Sequence, residues 1–96
     1  MLFVALCHDK PDHLAVRVAT RDVHVAWLKG LGAKVRIAGP FLDASGEVMQ
    51  GSIVVIEAET LAEAEATFAA DPYAAAGLFA SVEVRPWRWT IGAPTA

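Results

Sequence analysis

Two unbroken apolar runs of strand length stand out along the chain, Leu2-Phe3-Val4-Ala5-Leu6-Cys7 and Ile53-Val54-Val55-Ile56. Both are apolar on each alternating face, the pattern of strands covered on two sides. His8-Asp9-Lys10-Pro11 ends the first run, and Asp12 is the expected N-cap of a short helix reaching about Thr20. A second helical stretch is predicted from about Arg21 to Leu31. There Val23, Trp27 and Leu31 recur every four residues and mark a core stripe, and Gly30 and Gly32 provide a stop. The two stretches read either as one bent helix or as two.

Lys34 to Phe41 is the second predicted strand, with Val35 and Ile37 pointing one way and Gly39-Pro40 breaking its regularity. Asp43-Ala44-Ser45-Gly46 has hairpin composition, and the third strand spans Val48 to Glu59. Thr60-Leu61-Ala62-Glu63 is a capping box that opens a helix to about Ala70, with Leu61, Ala64 and Phe68 facing the core. Asp71 is placed to cap a new turn started by Pro72. Ser81 to about Thr90 is the last strand, and residues 92–96 form a tail. The order β-α-β-β-α-β predicts an α+β, ferredoxin-like fold: an antiparallel sheet with both helices on one face. Strands that are apolar on both faces then need cover on the other side. A second copy packed sheet against sheet, as a barrel-like homodimer, supplies it.

Composition strengthens that expectation. The chain has 96 residues, read as one domain, and 55% of them are hydrophobic, with mean hydropathy +0.41. A chain this short buries only roughly two-thirds of the surface its unfolded form exposes, so the apolar surplus points to self-association. No run approaches the ~20 residues of a spanning helix, and no basic n-region precedes the first apolar stretch, so neither a membrane nor a secretory signal is expected. Net charge is −3 with no basic cluster, which argues against nucleic acid. The single cysteine rules out an internal disulfide and suits a cytoplasmic location.

The candidate chemistry centres on His24 and Asp71. An imidazole that titrates near neutrality can take and return a proton. A nearby carboxylate can fix its tautomer, although Asp71 already has a structural job as a cap and His24 can equally be a buried, hydrogen-bonded core residue. Arg21 is suited to clamp a substrate carboxylate, or is simply solvated. Ser52 can donate to an oxyanion, or merely pack. Tyr73 either lines the pocket or covers the helix junction. The small-residue corners Gly39-Pro40 and Gly51-Ser52 let backbone approach a ligand. Cys7, His8 and Asp9 are adjacent on a strand, so they cannot all face one metal ion. A thiolate at Cys7 is disfavoured in an apolar strand.

Arg21-x-x-His24, Gly39-Pro40, Gly51-Ser52 and Asp71-Pro72-Tyr73-x-x-x-Gly77, in this order and spacing, are similar to the YCII-related family. The likeness runs from Met1-Leu2-Phe3-Val4 to Val82-Glu83-Val84-Arg85-Pro86. It implies a dimeric α/β-barrel of the ferredoxin-like kind, with His24 and Asp71 as the pair proposed to be catalytic and Ser52 nearby. One relative type is a chloromuconolactone dehalogenase, which eliminates halide from a lactone. The wider superfamily includes muconolactone isomerases and small monooxygenases. Trp27 and the Trp87-Arg88-Trp89-Thr90 segment depart from the usual pattern and are expected to reshape the pocket mouth.

These readings converge on a small cofactor-free enzyme that performs elimination or isomerisation next to a carbonyl. His24 acts as base or acid and Asp71 orients it. Arg21 and Ser52 hold the anionic end of a small carboxylate or lactone, and Tyr73, Gly39 and Pro40 complete the substrate site. A binding module that holds such an acid unchanged is the alternative, and a cofactor-free oxygenase a further one.

Overall fold

The computed structural model describes residues 1–94, so the last two positions of the expected 92–96 tail lie outside the described residues. The elements are β1 (Leu2–Asp9), α1 (Leu14–Leu31), a 3-10 turn (Gly32–Lys34), β2 (Val35–Leu42), β3 (Met49–Glu57), α2 (Leu61–Ala69), the one-turn helix α3 (Pro72–Ala75) and β4 (Phe79–Trp87). The sheet runs β2-β3-β1-β4, and each neighbouring pair is antiparallel. This is the ferredoxin-like arrangement that the sequence predicts.

Strand alternation sorts the two faces. Phe3, Ala5 and Cys7 of β1 lie opposite Ile56, Val54 and Ser52 of β3, and all six are buried. Ala58, Ala64 and Phe68 join this layer, and Trp27, Leu28, Val35, Phe79 and Val84 pack against it. Burying a side chain the size of Phe3 or Ile56 stabilises the fold by about 1.5–3 kcal/mol. The other face carries half-buried Leu2, Val4 and Leu6, buried Val55, and exposed Ile37 and Ile53.

Local chemistry sets most boundaries. Thr60 Oγ1 accepts from the Glu63 amide at 3.1 Å, while the Glu63 carboxylate reaches the Glu59 amide at 3.4 Å. In the β2–β3 connection Asp43 Oδ1 accepts from the Ser45 amide at 3.1 Å, and Gly46 takes φ +76°. Gly51 is required by packing: a Cβ there would lie 2.0 Å from the Phe41 ring and 2.3 Å from the Cys7 carbonyl oxygen. Its missing side chain makes room for protein rather than for a ligand.

Several sequence expectations are corrected. Residues 14–31 form one helix, and Asp12 does not cap it. Asp12 adopts φ +59°, and the N-cap position falls to His13, whose Nδ1 donates to the Pro11 carbonyl at 2.7 Å and so accepts from no helix amide. Of the expected stripe only Val23 faces outward, 60% exposed, whereas Trp27 packs on the core and Leu31 is half-buried; the fully buried positions of α1 are Arg17 and His24. The inward side of the helix thus mixes Arg17 and His24 with Trp27 and Leu28, and the apolar period alone does not show the two polar positions. Leu61 is exposed, whereas Ala64 and Phe68 are buried. A bulge at Arg36 pairs Val35 with Ile56 and Ile37 with Val55, which sends the two side chains to opposite faces. β4 begins two residues earlier than expected and ends at Trp87 rather than Thr90. No helix described is long and apolar enough to cross a membrane.

Candidate functional site

Positions 17, 21 and 24 are spaced i, i+4 and i+7, so α1 presents Arg17, Arg21 and His24 along one stripe. The stripe borders a cavity of about 420 Å³ between α1 and the β2–β3 side of the sheet. Ser52 and Val54 of β3, Ala38, Gly39 and Pro40 of β2, and Tyr73 of α3 close it. The remaining wall is apolar, from Val18, Val25, Leu28 and Met49. A cavity of this size and mixed lining suits a single-ring ligand with one polar edge.

The predicted pair is brought together. His24 Nδ1 lies 2.8 Å from Asp71 Oδ1, and both residues are buried. The same Oδ1 accepts from the Tyr73 amide at 2.9 Å, as the N-cap of α3, with Pro72 at the first helical position. An ionised carboxylate only accepts, so Nδ1 carries the proton and Nε2 is the free basic nitrogen. No protein group pairs with Nε2, and no buried side-chain nitrogen among the described residues lacks a partner. Nε2 therefore retains accessible surface, and His24 is one of the residues that line the cavity. The Tyr73 ring stacks on the imidazole at a centroid separation of 3.9 Å and an angle of 16°.

A second polar cluster shares the cavity and was not anticipated from the sequence. Arg17 donates from Nε and Nη2 to the two carboxylate oxygens of Asp9 at 2.7 and 3.0 Å, and from Nη2 to Ser52 Oγ at 2.8 Å. Burial works against the guanidinium charge. The hydrogen bonds and charge of Asp9, aided by Tyr73, outweigh it and raise the Arg17 pKa above its ordinary value. Because Ser52 Oγ accepts from Arg17, its own proton is available to donate elsewhere. The available signal was the seven-residue interval between Arg17 and His24, two helical turns on one face.

The remaining candidates divide. Arg21 lines the cavity as an exposed cation, with no carboxylate within 4.0 Å among the described residues. Gly39 and Pro40 line it too, whereas Gly51 does not. Trp27 packs on the core and tilts against His24 at 5.9 Å, and Trp87 and Trp89 line a separate cavity with Met1, Leu2 and Arg36. The tryptophans thus do not form the mouth of the His24 cavity, contrary to expectation. His8 lies edge-on to Phe41 at 5.2 Å, on the sheet face away from Cys7. Burial first, then the carboxylates of Asp71 and Asp9, push the Cys7 thiol up to about 12 against the pull of Arg17, so it stays protonated at neutral pH.

Comparison with known proteins gives this geometry a context. Protein YciI of Escherichia coli O6:H1 strain CFT073 is 38% identical over 95 residues, covering 92% of this chain and 97% of that protein. An uncharacterized protein of Haemophilus influenzae is 37% identical over the same shares of the two chains. Among solved structures, the 5-chloro-2-hydroxyhydroquinone dehydrochlorinase of Burkholderia phenoliruptrix AC1100, in complex with 2,5-dihydroxybenzoquinone, superposes with a TM-score of 0.85 at 37% identity. That match covers 92% of this chain and 94% of the enzyme. The family model described as the YCII-related domain matches residues 1–88, and the chain belongs to that family.

Proposed function

We propose that the chain is a small cofactor-free enzyme that eliminates a leaving group from, or isomerises, a small oxygen-rich ring compound such as a hydroxylated hydroquinone or a lactone. The observation that carries this reading is His24, with Nε2 free and Nδ1 anchored on Asp71, lining the same cavity as the Arg17–Ser52 pair. The likeness to a dehydrochlorinase supports elimination.

On a halogenated hydroxyhydroquinone, His24 Nε2 takes the proton of a ring hydroxyl. The released electron pair forms C=O, and the ring carbon bearing the halogen receives a proton as the ring ketonises. A second hydroxyl then loses its proton while the carbon–halogen bond breaks, and halide departs with the bonding pair. One proton and one halide leave in total, and the step consumes no oxidant. Arg17 and the Ser52 hydroxyl stabilise the oxygen on which negative charge develops, and Asp9 holds Arg17 in place. Asp71 holds the imidazole in the useful tautomer and stabilises the imidazolium. Arg21, unpaired at the cavity wall, attracts the anionic form of the substrate.

The same reading pairs the sheet face bearing Leu2, Val4, Leu6, Ile37 and Ile53 with a second copy, an association measurable by light scattering. The direct test of the chemistry replaces His24 with Ala and with Asn. Halide release and absorbance are then followed on a panel of substituted lactones and chlorinated hydroxyhydroquinones. Turnover in the wild type and its loss in both variants is the expected result. Unchanged turnover removes His24 from the mechanism, and a tightly held ligand recovered unreacted would make the protein a binding module.

A further inference from the structure

We infer that Tyr73 is a positioning residue whose ring contacts and holds the two halves of the site, the His24–Asp71 pair and the Arg17–Ser52 pair. His24 and Arg17 are seven residues apart on α1, about 10.5 Å along the helix axis. Tyr73 enters from α3. His24 stacks on its ring at 3.9 Å, and the Arg17 guanidinium carbon lies 4.8 Å from the same centroid. The imidazole covers one ring face and the guanidinium meets the same ring farther from its centre, so a single side chain contacts both groups.

Two further contacts fix the ring. The Tyr73 amide donates to the Asp71 oxygen that anchors His24, and Phe79 meets the ring edge-on at 5.9 Å and 81°. The position of the base is therefore tied to that of the oxyanion donors through one aromatic side chain. Both flanking groups are cationic when the reaction demands it, Arg17 always and His24 once it has taken a proton. The electron-rich faces of the ring favour both states. Burial foremost raises the Tyr73 pKa, which keeps the phenol neutral beside the two cations. The ring positions His24, and the phenol also supports the Arg17 charge.

The inference rests on the proton-transfer reading for its kinetic consequence. Its spectroscopic consequence stands apart from that reading. Tyr73→Phe, Tyr73→Leu and Tyr73→Met are compared with the wild type. Leucine and methionine are close in volume but differ in shape and flexibility, so a shared effect reports the missing ring, and circular dichroism and Tm verify that each variant folds. The His24 Nδ1–H proton, hydrogen-bonded to a carboxylate, is read as a downfield NMR resonance and assigned by its absence in His24→Asn. Tyr73→Phe keeps the ring, so it is expected to keep the resonance and to retain a kcat about tenfold or more above those of Tyr73→Leu and Tyr73→Met. Tyr73→Leu and Tyr73→Met should lose or broaden it and lower kcat by about 10²-fold with little change in KM, the scale of an ångström-sized misplacement. The inference is overturned if a folded Leu or Met variant keeps both the resonance and kcat while His24→Ala is inactive. It is equally overturned if Tyr73→Phe is as impaired as Tyr73→Leu. Unchanged turnover in His24→Ala would instead end the proton-transfer reading and leave the resonance result to be judged alone.

Discussion

Replacing Asp9 with asparagine exchanges a carboxylate oxygen for an amide –NH2 beside a guanidinium that is only 3% exposed. At the observed 2.7 Å separation the gross attraction is about 6 kcal/mol for an effective dielectric constant of 20. Much of that offsets the cost of taking both charges out of water. Removing one partner of a buried pair leaves the other uncompensated, and the net loss is about 3–5 kcal/mol. For a chain of this length each kcal/mol moves Tm by about 4–8 °C, so Asp9→Asn should melt at least ~12 °C below the wild type. Thermal unfolding by circular dichroism at one fixed protein concentration reads this out. The double variant Asp9→Leu/Arg17→Met removes both charges and fills the space with apolar atoms. It should recover most of the lost stability while remaining inactive, because Ser52 then has no Arg17 beside it. A drop below about 4 °C for Asp9→Asn would refute the reasoning, as would a double variant as unstable as the single one.

Asparagine caps helices about as well as aspartate, so Asp71→Asn should leave Tm near the wild-type value while lowering kcat by about 10²-fold or more, as steady-state kinetics beside a melting curve will show. The Cys7 thiol has a pKa raised by burial from 9.0 to about 12. The unfolded chain therefore gives up this proton first. The stability that the protonated thiol confers is whole below about pH 9 and is lost as pH rises towards 12. Urea denaturation from pH 8 to 11 should show the wild type losing stability relative to Cys7→Ala across that window, and a constant difference would contradict the assignment.

Strand alternation, the capping box at Thr60 and the Asp71-Pro72 junction were legible because each is set by residues within a few positions of one another. The meeting of His24 with Asp71 was legible although 47 positions separate them, because each stands in a motif whose order and spacing resemble the family's. The Asp9–Arg17–Ser52 cluster was not. Its members come from the end of β1, the first turn of α1 and the first half of β3, and only the packing of α1 on the sheet aligns them. An arginine inside a helix reads as a solvated charge until that packing is known. The same cause placed Val23 wrongly although Trp27 of the same stripe does pack on the core. Where a helix turns polar side chains inward, its apolar rhythm does not mark them. Asp12 failed as a cap because the chain turns there through a left-handed conformation, which residue type alone does not announce.

β2 lies at the rim of the sheet and hydrogen-bonds to β3 alone, yet it supplies Ala38, Gly39 and Pro40 to the wall facing α1. In the proposed mechanism the reacting groups and the β2 wall thus sit on pieces of the chain that can drift independently. A larger residue at position 38 recontours the chamber without touching His24, Asp71, Arg17 or Ser52. Closely similar sequences can in this way inherit one reaction type and acquire different appetites.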